Sequence, residues 1–241
     1  MCLLGLGFWA QAFAQTTTPN DDVFQLSTLS ALSAGVFDGD TTVAELKRHG
    51  DFGLGTFNGL DGEMIVLNGE VYQVPADGVA RFADANTGVP FAAVTTFTPD
   101  RTATTNLTMS CAELETFITT LLPSQNVIYA LKVQGTFESL KVRSEAKQQP
   151  PYTTLADVLK TQVLFDYHNL QGTLVGFWFP AYAEGINVTG YHFHALSADR
   201  TKGGHVLDCR VKQARISLDT SSGLTLHFPD TDAFMNADLA E

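Results

Sequence analysis

Half of the six histidines in this 241-residue chain fall in one stretch, GYHFHALSADRTKGGH, residues 190–205. In an extended strand, residues i and i+2 project from the same face. His192 and His194 can therefore converge on a single ion. The segment from Ser197 to Gly204 carries Asp199, Lys202, Gly203 and Gly204, which suits a hairpin return that brings His205 to the same face. Three neutral imidazoles with a fourth position left open describe a catalytic zinc site and not a closed structural one. Other divalent metals accept the same donors. A cupin-type metal site also begins with an H-x-H strand, but it calls for a glutamate a few residues on, where this chain has Asp199. The other three histidines, His49 at an expected helix end and His168 and His227 in isolation, read as structural or solvent-facing.

The elements that must position these residues are mostly strands. Asn68-Gly69, between two apolar runs, is a strong hairpin signal. VIYALKVQGTFESLKVR, residues 127–143, reads as two strand-like runs joined near Gln134-Gly135. TLVGFWFPAY, GYHFHAL, GGHVLDCRVKQARISL and LTLHF continue the β-rich pattern, and the 17 phenylalanines suit apolar sheet faces. Helices are few. Thr42-Val43-Ala44-Glu45 reads as a capping box with Gly50 as the stop, and Ser110-Cys111-Ala112-Glu113 opens a longer helix before Pro123. A third short helix is expected over residues 155–162. The fold class is α+β, dominated by mixed and antiparallel sheets.

Composition bounds the function. Hydrophobic residues make up 44% and charged residues 17%, values of a chain that buries a full core. A net charge of −12 argues against nucleic acid and against an anionic membrane face. An acidic protein acting on an anion needs a local positive centre, either a metal or an arginine. Residues 1–14, MCLLGLGFWAQAFA, carry a short apolar run and an A-x-A pattern, so export is expected despite the missing basic residue. Residues 15–22 read as a flexible leader, and residues 23–241 as one unit with no visible internal boundary. Cys2 would leave with the signal. Cys111 and Cys209 are expected as buried thiols, with a disulfide as the alternative. Asn106-Leu107-Thr108 and Asn187-Val188-Thr189 are formal glycosylation sequons.

Several stretches together resemble one family. Residues 24–74, above all GDFGLGTFNGLDGEM at 50–64, then QGTFESLKVR (134–143), GTLVGFWFPAY (172–182) and the histidine segment are similar, in order, to the α-acetolactate decarboxylases. The resemblance implies two closely packed α/β lobes in a homodimer, with Zn2+ held by His192, His194 and His205. It implies decarboxylation of 2-acetolactate to acetoin through a metal-stabilised enediolate. Glu63 falls on a family acid suited to protonating the enediolate, Arg143 on an arginine suited to holding the substrate carboxylate or steadying the anionic intermediate after CO2 leaves, and Thr56 on a hydroxyl that donates or orients. Some members bring a second acid from a C-terminal tail. This chain ends in ADLAE, and that role is not carried onto Glu241. Two rivals stand beside this reading: a zinc hydrolase with Glu63 as general base, and a non-catalytic, cupin-like module braced by metal.

Overall fold

The computed structural model describes residues 21–239, so the expected signal and residues 15–20 lie outside the described residues. Two sheets pack face to face. The first has seven strands in the order Leu224–His227, Val23–Leu26, Phe91–Thr95, Phe52–Thr56, Glu63–Leu67, Glu70–Val74 and Arg81–Phe82. All neighbours are antiparallel except the first pair, so the sheet is mixed. Asn68 and Gly69 have φ of +54° and +77°, and they close the hairpin that the sequence announced.

The strands 52–56, 63–67 and 91–95 are buried at every position because both faces of this sheet are covered. Phe52, Leu54, Ile65 and Leu67 pack with Val175, Phe177, Phe179 and Leu196 of the second sheet. Met64, Val66, Ala92 and Val94 face the other way, against Val43 and Leu46 of a one-turn helix. That alternation puts successive residues of one strand into different cores.

The second sheet is built from Ile128–Ser144, Val163–Phe179, Gly190–Ser197 and Gly203–Ser221. Each pairs antiparallel with the next, and the last pairs again with the first along its length. The pairing therefore closes into a ring. Met109–Ser110 and Arg101–Thr105 add to the free edge of Gly203–Ser221, and helix Cys111–Leu121 buries Leu114 and Ile118 against the same strands. Among the described residues no helix is long and apolar enough to cross a membrane.

Four local expectations need correction. The run 128–144 is one strand, with irregular register around Thr136 and Phe137 where two strands were expected. Gly135 does not break it: a Cβ there would sit 2.3 Å from the Gln213 carbonyl, so the glycine admits a neighbouring backbone. The helix expected at 155–162 is one α turn, Leu155–Val158, followed by a 3-10 turn, Leu159–Thr161. The helix after Thr42 has its full capping box but ends at Leu46, before Gly50, and the His49 ring stacks on Phe24 at 3.6 Å instead of capping carbonyls. Cys111 and Cys209 form a disulfide, with Cα atoms 4.9 Å apart. The helix and the strand that carry them were too far apart in sequence for their meeting to be read there. The Ser110 capping box and its helix are as expected.

Candidate active site

The histidines are fixed by strand register. His192 and His194 share one face of Gly190–Ser197, and His205 is the direct cross-strand partner of His194. His205 is also the partner of Arg143 on its other side, so one rung of the sheet reads Arg143, His205, His194. Gly204 makes this spacing feasible. Its φ is +140°, and a Cβ there would meet the Arg143 carbonyl oxygen at 2.6 Å.

The three rings point inward. Nδ1 of His205 lies 3.2 Å from Nε2 of His192 and 3.3 Å from Nε2 of His194. On its outer side, Nδ1 of His194 is 2.8 Å from the Met64 carbonyl in the other sheet. A carbonyl only accepts, so that nitrogen carries the proton and Nε2 presents a lone pair inward. Burial pushes the His192 imidazole down to about 3, with the Arg143 charge adding to the effect. Burial also holds His194 and His205 well below the ordinary histidine range, with His192 and Arg143 contributing. All three rings are neutral at pH 7, the state in which an imidazole binds a metal.

The first sheet brings the acid. Glu63 opens its strand opposite Thr56, and its Oε2 lies 3.2 Å from Nε2 of His194. With His194 neutral this is no ion pair. Burial drives the Glu63 carboxyl well above the usual range, Glu145 pushes the same way, and Arg143 opposes. Thr56 is buried and donates its hydroxyl proton to the Gly62 carbonyl at 2.8 Å. It thereby braces the turn before Glu63, where Gly62 takes φ of +81° beneath the Val74 carbonyl. Of the two roles expected for Thr56, the orienting one matches this geometry.

Arg143 Nε is 3.5 Å from Glu145 Oε1 and 4.0 Å from Glu63 Oε1, and Nη1 donates to Gln162 Oε1 at 3.2 Å. The six residues singled out from sequence thus meet in one pocket. Glu145 and Gln162 were missed. Nothing in the polar run RSEAKQQ distinguishes an inward glutamate from a solvated one, and Gln162 stood at the end of an expected helix. Leu29, Leu32, Leu60, Phe91, Leu155 and Val188 form the apolar wall facing this polar floor.

The donor set fits a divalent metal. Around a tetrahedral ion with bonds of about 2.0–2.1 Å, nitrogens sit roughly 3.3–3.4 Å apart, close to the two separations observed here. All three ligand atoms lie within 4.8 Å of one another. Neutral, buried lone pairs facing each other leave a position that a cation would satisfy.

The fold and site define a β-rich protein whose three-histidine cluster sits against an acid and an arginine in an apolar-walled pocket. Residues 23–241 match the sequence model of the α-acetolactate decarboxylase family. The chain is 44% identical to an α-acetolactate decarboxylase of Methanosarcina mazei, over 92% of this chain and 77% of that one. It is 45% identical to that of Methylococcus capsulatus, over 91% and 84%. The crystal structure of the Bacillus subtilis strain 168 α-acetolactate decarboxylase superposes with a TM-score of 0.90 at 39% identity, covering 91% of this chain and 94% of that one. The chain belongs to the α-acetolactate decarboxylase family.

Proposed function

We propose that this chain is a zinc-dependent decarboxylase converting 2-acetolactate to acetoin. Family membership supports the reaction. The observation that carries the site assignment is the convergence of three neutral imidazoles, with His205 Nδ1 3.2 and 3.3 Å from the Nε2 atoms of His192 and His194, beside Glu63 and Arg143. A zinc ion held by His192, His194 and His205 would supply Lewis-acid charge where negative charge develops on substrate oxygens.

The chain's own groups perform the rest. Arg143 offers its remaining guanidinium hydrogens to the substrate carboxylate, the geometry a planar fork suits. The apolar wall excludes water, which strengthens these charge interactions and keeps stray protons from the intermediate. Cleavage of the bond to the carboxylate releases CO2, and its electron pair passes into the neighbouring ketone to give an enediolate. Glu63, whose environment favours the protonated form, gives a proton to the carbon that bore the carboxylate. It regains that proton from solvent, so one substrate anion and one proton become acetoin and CO2.

Export of the chain is part of this reading. It is supported by the apolar A-x-A start, and by a disulfide of the kind that persists in oxidising compartments. A homodimer is proposed from the family resemblance alone. The deciding experiment measures CO2 and acetoin from racemic acetolactate, with protein as isolated, after chelation, and after zinc is restored. Chelator-sensitive acetoin formation that returns with zinc is expected. Folded, zinc-loaded protein that makes no acetoin would overturn the proposal, and ester or amide turnover in its place would favour a hydrolase.

A further inference from the structure

Glu145 is a charged group of the pocket that sequence gave no reason to expect there. It is 3% exposed, although its neighbours in sequence are polar. The chain around it is pinned inward. Ser144 Oγ donates to the Val74 carbonyl at 2.6 Å, and the Gln148 amide donates to the Gly59 carbonyl at 2.7 Å. These bonds tie residues 144–148 to the sheet that carries Thr56 and Glu63 and to the turn between those two residues.

Burying a carboxylate is costly unless charge and hydrogen bonds compensate it. Here Glu145 Oε1 and Arg143 Nε are 3.5 Å apart, and neither atom has a hydrogen-bond partner. Arg143 Nε lies 4.0 Å from Glu63 Oε1 as well, and the nearby Glu145 charge helps push the Glu63 carboxyl up. Glu145 therefore stands beside the two groups that the proposed reaction uses for substrate binding and for protonation.

We propose that Glu145 is a second acidic residue of this active site, a positioning residue that sets the Arg143 guanidinium and the Glu63 carboxyl relative to each other. The inference rests on the decarboxylase reading above. With Gln162 on Nη1 and Glu145 beside Nε, the guanidinium of this pocket-lining arginine is held from two sides. With Glu145 and Glu63 both beside Arg143 Nε, the proton donor is held in one orientation, so the enediolate is protonated from one face and a single acetoin enantiomer predominates.

The test compares wild type with Glu145→Gln and Glu145→Ala as full-length, zinc-loaded enzymes. It reads kcat, KM, acetoin enantiomer ratio, zinc content and far-UV circular dichroism. Glutamine keeps the size and polarity of the side chain but removes the charge beside Arg143, whereas alanine removes all three. We expect full zinc content and native dichroism in both variants. We expect kcat lowered by roughly 10–100-fold, the range for loss of an orienting partner, with KM changed much less. The enantiomer ratio should shift toward racemic, more for alanine than for glutamine. A merely structural role would lower the active fraction and leave the enantiomer ratio of the remaining enzyme unchanged. The proposal is overturned by that result, or by kcat and ratio both remaining at wild-type values. If the alanine variant does not fold, the near-isosteric glutamine variant decides alone. A wild-type enzyme that makes no acetoin is a separate outcome, which removes the decarboxylase reading and this inference with it.

Discussion

Arg143 and His205 are cross-strand partners on the long strands of the second sheet. The arginine proposed to hold the substrate anion and one histidine of the candidate metal cluster are thus neighbours on one rung, held by backbone hydrogen bonds and not by loops. Their separation is a property of strand register. Any substrate bridging the ion and the guanidinium meets a fixed span, which fits the demand for pre-organisation in a charge-stabilising site.

Removing a ligand should therefore remove the metal without unfolding the sheet. His205→Ala is expected to lower zinc content to a small fraction of wild type and to lower kcat/KM by more than about 100-fold, beyond the effect of an outer-shell loss. Native far-UV dichroism should persist. Metal analysis after desalting, paired with acetoin assays, checks both halves.

Arg143→Lys keeps the charge but loses the fork. A charged hydrogen bond contributes about 1.5–3 kcal/mol, so kcat/KM should fall roughly 10–100-fold. Steady-state kinetics on acetolactate would show it. A lysine variant with wild-type kinetics would mean that the guanidinium does not hold the substrate.

Asp219 predicts a pH effect away from the active site. It is almost fully buried, and burial pushes its carboxyl up to about 7. The Thr98 amide, donating at 2.8 Å, opposes the shift, and the nearby Asp21, Asp100 and Asp51 add to it. A raised folded-state pKa favours the protonated form. The associated stability is full below the ordinary value of 3.8 and is lost as pH rises through about 7. Asp219→Asn should be no more stable than wild type at pH 4 and more stable at pH 8. Thermal melts at the two pH values decide this, and a gain of equal size at both would refute the assignment.

The disulfide closes a loop across a sequence separation of 98 residues. In the chain-entropy description a crosslink of that span stabilises by about 4–5 kcal/mol, and removing such bonds typically costs about 2–5. Cys111→Ser should lower the urea midpoint by a corresponding amount without changing zinc content. Equilibrium unfolding followed by dichroism measures this shift.

Much of the site was legible because its cues are local. The H-x-H spacing and the Gly203-Gly204 return depend on residues a few positions apart, as do the Asn68-Gly69 hairpin and both capping boxes. What could not be read depends on pairings distant in sequence. Gly135 signals a break until Gln213 is laid against it. Glu145 reads as solvated until residues 144–148 bind the Val74 and Gly59 carbonyls. Cys111 and Cys209 meet only because a helix is placed beside a strand from the far end of the chain. Local chemistry announces the ligands; long-range pairing decides which neighbours surround them.

The bond from His194 to the Met64 carbonyl joins the three-histidine cluster to the opposite sheet. A gap opening between the sheets would break that bond and free the imidazole to rotate. Bound zinc would then act as a clasp on the sandwich, and loss of the ion on heating should coincide with separation of the two layers. A metal-sensitive dye added during a melt would report mechanical failure of the protein, at the same temperature as the loss of its tertiary signal.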